Sequence, residues 1–231
     1  MNPAPREAFI AGHNIAYTAT YFDQVLFAAR LANQKNAKTT EHVNKMIQML
    51  QHVGNNFANR MKHVNLIAKE TGLPKRELPA LPKDFYPWAN LIHKDYLEIW
   101  KISDPPGCLF AIGHSLGEIR NGLIILNLCL DFDQHLNVDS SAELNNIPKR
   151  LEEALQRWST ADTVLGEHRL NKRPHQLLQP IAGQITTIIG LLKDKEKGWP
   201  LMPTLIQRIL PLLAKAENDI VVTLPSVTDR Y

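Results

Sequence analysis

The chain has 231 residues, 44% of them hydrophobic, and carries 26 basic against 23 acidic side chains for a net charge of +3. That is apolar material for one sizeable core or two small ones, and too even a balance for the clustered basic surface of a nucleic-acid binder. Two cysteines in a chain of this length exclude a disulfide-dense secreted scaffold.

The opening Met1-Asn2-Pro3-Ala4-Pro5-Arg6 has no basic region leading into an apolar run, so no signal peptide is expected. The most apolar stretch, Leu123 to Leu130, is too short to span a bilayer. A cytoplasmic protein with reduced cysteines follows by elimination. A first helix is expected from Pro5 to about Asn33, with Ile15, Ala19, Phe22, Leu26 and Ala29 forming one apolar stripe. A second starts at the cap signal Thr39-Thr40-Glu41, carries Val43, Ile47, Leu50, Phe57, Met61 and Val64 in near-heptad register, and stops at Gly72. Pro74, Pro79 and Pro82 make residues 73–83 an extended linker.

A third helix spans about Asp84 to Ile102, and Pro105-Pro106 then break the chain. The fourth, about Cys108 to Phe132, is apolar nearly all round in its second half and is expected at the bundle centre. A fifth runs from Ser140 or Ser141 to about His168 and a sixth from His175 to Lys193. The seventh, residues 200–218, has Pro203 in its first turn and a kink expected at Pro211. Ile220 to Leu224 is the one strand candidate. The fold class is all-α, a bundle of about seven helices. Residues 1–72 form an N-terminal hairpin, 73–83 the linker, and 84–231 a helical bundle that packs separately or together with the first hairpin.

Two stretches echo each other. Phe9-Ile10-Ala11-Gly12-His13-Asn14-Ile15-Ala16 matches Phe110-Ala111-Ile112-Gly113-His114-Ser115-Leu116-Gly117 at an offset of 101 residues, from 13 to 114. At that offset Thr39-Thr40 meets Ser140-Ser141, Asn44 meets Asn145 and Leu50 meets Leu151, so the chain reads as two related long hairpins. On a helical projection His13 and His114 lie opposite their apolar stripes, on stiff helices facing water. A neutral imidazole in that position has a nitrogen free to attack phosphorus. Glu118, four residues after His114, lies on the same face and can orient the ring, whereas the matching Tyr17 cannot. His114 is the stronger candidate.

Gly113-His114-Ser115-Leu116, followed by an amphipathic helix, a polar turn and a second helix, resembles the phosphoacceptor hairpin of histidine kinases and the histidine-containing phosphotransfer domain. Gly117 and Glu118 stand where the latter has Lys-Gly, and Ser115 and Ile119 depart from the kinase pattern. His175-Gln176-Leu177-Leu178-Gln179-Pro180-Ile181 matches the kinase spacing His-x-Leu-x-x-Pro, with Gln176 in place of an acid. Residues 214–225 resemble the lead-in to a kinase ATP-binding domain, but no glycine-rich nucleotide boxes follow. The resemblance implies a signalling module that docks a response regulator without phosphorylating itself. Its implied site is His114 or His175 as phosphoacceptor, with Glu118 orienting, and no cofactor.

Other readings use the same residues. Gly113-His114-Ser115-Leu116-Gly117-Glu118 is similar to the Gly-x-Ser-x-Gly elbow of malonyl and acyl-carrier transacylases, with Ser115 as nucleophile, but that elbow requires a strand before it and an alternating α/β chain around it. His52, Asn56, Asn59 and His63 share a helix face, yet no Glu-x-x-His pair supports a di-iron bundle. Haem held between His13 and His114 across a pseudo-twofold would need both rings to face the core. Arg169 and His175 have the spacing of helical RNA-cleaving domains, with Pro174 expected to break the helix between them. A non-catalytic helical adaptor that binds a protein partner, with self-association into a homodimer open, stands beside the relay reading.

Overall fold

The computed structural model describes residues 5–17, 91, 94–95, 104–136, 141–167, 172–194 and 198–225. The expected second helix, the proline-rich linker, most of the third helix and the His52–His63 face lie outside the described residues. What is described is all-α: five helices and, among the described residues, no strand. We label them α1 (residues 5–17), α2 (Pro105–Leu136), α3 (Ser141–Glu167), α4 (Lys172–Lys193) and α5 (Met202–Thr223), the last preceded by a 3-10 turn at Trp199–Leu201. Among the described residues no helix is long and apolar enough to cross a membrane.

Heptad spacing builds the core. Leu109, Ile112, Leu116, Ile119, Leu123, Leu126 and Leu130 alternate steps of three and four along α2 and are all buried. The same alternation carries Leu144, Ile147, Leu151, Ala154, Trp158, Ala161 and Leu165 in α3, and Met202, Ile206, Ile209, Leu213, Ala216 and Ile220 in α5. In α4 it runs through Leu178, Ile181, Ile185, Ile188 and Leu192. Such a seam is the pattern of a bundle whose helices cross at shallow angles. Each helix packs on the next, α2 on α3, α3 on α4, α4 on α5 and α5 back on α2, which closes a four-helix ring.

Several local expectations change. The helix expected at Cys108 begins at Pro105, because prolines fit a first turn whose N–H groups have no partner anyway. Pro174 likewise sits in the first turn of α4 and does not break it. The α5 helix runs on to Thr223, so residues 220–223 of the expected strand are helical. Ile220 and Leu224 continue the buried seam of Leu213 and Ala216, and that burial outweighs the β preference of Ile-Val-Val-Thr. Pro148, Pro180 and Pro211 all lie within continuous helices. Pro180 and Pro211 are exposed, where water can satisfy the carbonyl each one frees.

Candidate functional site

The two matching stretches pack directly on each other. A methyl added at Gly12 would lie 2.1 Å from the Phe110 carbonyl oxygen, and one at Gly113 would lie 2.2 Å from the Phe9 carbonyl oxygen. One turn on, a methyl at Gly117 would lie 2.8 Å from Ala16 Cβ. The crossed pair of contacts at residues 9–12 and 110–113 is followed one turn later on both helices by Ala16 against Gly117, so α1 runs parallel to α2. The small pairs Gly12/Ala16 and Gly113/Gly117, each four apart, let the backbones touch. Each contact has its counterpart at the offset of the sequence echo, as a local twofold relation would generate. Covered by α1 on one side and the ring on the other, residues 107–117 of α2 are buried all round. The expectation had placed that all-round burial in the second half of the helix.

Burial corrects the expected exposure of both histidines. His114 is 4% exposed and His13 8%. His114 does lie off the buried seam of α2. The projection could not show that another helix covers the far side.

His114 stacks obliquely on Phe110, with ring centroids 6.4 Å apart. Arg157 reaches over from α3, bonds Glu118 through Nη2, and places Nη1 3.4 Å from His114 Nδ1. A guanidinium can only donate, so Nδ1 is the acceptor and the ring proton sits on Nε2. The Glu118 Oε1 is 3.9 Å from the same Nδ1. Glu118 is thus beside His114 as expected, but it is tied to Arg157. Burial holds its carboxyl above the ordinary 4.5, against the pull of the Arg157 cation.

His13 belongs to a second network built from three helices. Its Nε2 lies 3.1 Å from Glu217 Oε1 of α5, and Glu217 Oε2 accepts from Arg120 Nη1 of α2 at 2.9 Å. Arg6 adds to the clamp at the start of α1 by donating from Nε to the Leu224 carbonyl at 2.9 Å. The network opens on a cleft of about 260 Å³ whose walls include Asn14, Asn218, Phe9, Ile10 and Val221. Ionisable groups of both signs, an apolar wall and a concave surface meet here.

Of the remaining candidates, Ser115 does not join these networks. His175 falls in the first turn of α4, and its surroundings lie outside the described residues. Ser115 sits in mid-helix with its hydroxyl sealed and without a hydrogen-bond partner, and residues 108–112 before it are helical, as the expected fourth helix has them. The strand-to-helix elbow that a nucleophilic serine requires is not formed there. Among the described residues no group of three His, Cys, Asp or Glu side chains could hold a metal ion.

Sequence reasoning passed over Arg120, Arg157 and Glu217. A signal existed: Glu217 stands four residues after Leu213 and three before Ile220, and Arg120 stands four after Leu116 and three before Leu123. A charge flanked in that way by seam residues lies at the edge of a buried stripe. The chain matches no protein-family model, no curated protein and no solved structure.

Proposed function

We propose that this chain is a non-catalytic helical adaptor, built from two related hairpins, that binds a protein partner through the outer face of α5. The observation that carries the reading is the surface of that helix. Leu201 and Leu212 are 54% and 46% exposed and Val222 67%. On the helical projection Leu201, Leu205 and Leu212 share one line, with the half-buried Asp219 at its C-terminal end, and the exposed Arg208 and Lys215 fall between that line and Val222. An apolar stripe edged by cations fits an amphipathic helix with an acidic rim. The reciprocal α1–α2 crossing supports the duplication, in which one chain supplies both halves of a hairpin pair.

Phosphotransfer through His114 is less favoured by this geometry. Both ring nitrogens are committed, one to Arg157 and one to its own proton, and the ring is covered. The Arg157–Glu118 pair would have to swing away before a phosphoryl group could reach it.

Two experiments test the proposal. A photo-crosslinking residue at position 212 in the native cell is expected to give one discrete adduct, which is absent with the crosslinker at the exposed Glu152 and lost in Arg208→Glu/Lys215→Glu. No adduct, or the same pattern at both positions, refutes the adaptor reading. The purified chain, incubated with a phosphorylated receiver domain, is expected to take up no acid-labile phosphate. Label that disappears in His114→Gln would restore the relay in its place.

A further inference from the structure

We propose that the cleft between α1, α2 and α5 binds a small carboxylate that carries an apolar body. This goes beyond the adaptor reading, because the cleft lies on the other flank of the α5 seam from the Leu201–Leu212 line. Two features carry it.

The first is the polar capacity that the cleft leaves unspent. Glu217 is 7% exposed and already answered: Arg120 Nη1 donates to its Oε2 at 2.9 Å, and His13 Nε2 lies 3.1 Å from its Oε1. The acceptor side of the cluster is closed. Its donor side is open. A guanidinium has five N–H donors in a planar fork, and one of those on Arg120 goes to Glu217. Its Nε and Nη2 have no protein partner among the described residues, and the side chain is 31% exposed. The exposed Asn218 lines the same cleft and adds amide N–H donors. An incoming molecule therefore meets donors, one group of them cationic, and the ligand that answers them is an acceptor with negative charge. A carboxylate can take the free edge of the guanidinium through two parallel hydrogen bonds. The charge of Glu217 is offset there, since two basic side chains stand at its oxygens and the guanidinium would lie between the two carboxylates.

The second feature is the apolar wall. Ile10, Ala214 and Val221 are half-buried, Phe9 is sealed, and all four line the cleft with Arg120. Inorganic phosphate or acetate would use the donors and leave this wall in water. An apolar amine would cover the wall, leave the guanidinium unanswered and bring a like charge beside it. A molecule with a carboxylate at one end and hydrocarbon at the other uses both parts of the cleft.

The test is calorimetric titration of the full chain with sodium hexanoate. Acetate and inorganic phosphate, which lack the apolar body, and hexylamine, which lacks the carboxylate, accompany it. Hexanoate is expected to bind at least tenfold more tightly than any of the three. Each methylene that the wall covers should tighten binding by up to about fourfold, so butanoate falls between acetate and hexanoate. Arg120→Gln should weaken hexanoate by about tenfold or more. Because that change also takes a partner from Glu217 and can loosen α1, two further variants leave both contacts of Glu217 in place. Ala214→Leu fills the cleft, and Asn218→Asp sets a negative charge beside the donors. Each should weaken hexanoate by about tenfold or more, with the helix content unchanged by circular dichroism. The proposal is overturned if hexanoate does not bind at millimolar concentration, if acetate, phosphate or hexylamine binds as well as hexanoate, or if either of these two variants keeps the wild-type affinity. None of these results bears on the crosslink at position 212, so the two proposals fail separately.

Discussion

The α1–α2 crossing offers the sharpest test of the fold, through Gly12→Ala and Gly113→Ala. In each, one methyl must enter a space where an opposing carbonyl oxygen stands 2.1 or 2.2 Å away. The obstacle is backbone, which cannot rotate aside, so the helices must part by about 1 Å. A gap of about 0.5–1 Å forfeits roughly a quarter to a half of each atomic contact across it. Overpacking of this kind costs about 1–3 kcal/mol, and the backbone obstacle argues for the upper end. Alanine returns about 1 kcal/mol through its better helix preference, which leaves a net loss of about 2 kcal/mol per variant. For a domain of this size that corresponds to a melting temperature lower by about 4–8 °C. Urea denaturation followed by circular dichroism reads it directly. Gly183→Ala, where an added methyl meets nothing within 4 Å on an exposed face of α4, is the control and should gain about 0.5–1 kcal/mol. The reasoning requires the two crossing glycines to respond alike. A Gly113→Ala as stable as the wild type, or a loss confined to one of the pair, would refute the reciprocal packing.

Further predictions rest on single buried groups. Ser115→Ala removes a sealed hydroxyl that has no partner and should stabilise the chain by about 1 kcal/mol, measured by the same urea titration; a loss instead would show that the hydroxyl is bonded. Because folding holds the Glu118 proton more tightly than the unfolded chain does, the stability it contributes is full below about pH 4.5 and falls as pH rises through its raised value. Denaturation at a series of pH values should therefore show the advantage of wild type over Glu118→Gln shrinking upward from about pH 4.5, and a growing advantage would contradict the burial term. Cys108 is sealed, and burial, with Asp104 adding to it, pushes its thiol up to about 11. An aromatic disulfide reagent should leave it unlabelled in the native state at neutral pH and label it in denaturant; fast native labelling would mean that α2 opens.

Much of the bundle was legible before any coordinates. A start at Ser140 or Ser141 and the apolar run of α2 place α2 and α3 within a few residues of where they lie. The errors came where a local rule met a tertiary partner. Ile220 to Thr223 reads as strand by composition and folds as helix because its buried positions extend the α5 seam. Pro174 reads as a breaker and is a first-turn residue. The histidine echo was visible in the sequence, and so was the small-residue spacing beside it. The direction in which the imidazoles face was not, since a projection of one helix assumes water on its far side.

Periodicity by itself thus determined that the chain is helical, because an α-helix repeats every 3.6 residues whatever surrounds it. Which helix covers which is decided by interactions between residues about forty to two hundred positions apart. Gly12 against Phe110, Arg157 over His114, and Glu217 between His13 and Arg120 are all of that kind. No local rule reports them, and they turned a histidine expected in water into part of the interior while opening a charged cleft beside its counterpart.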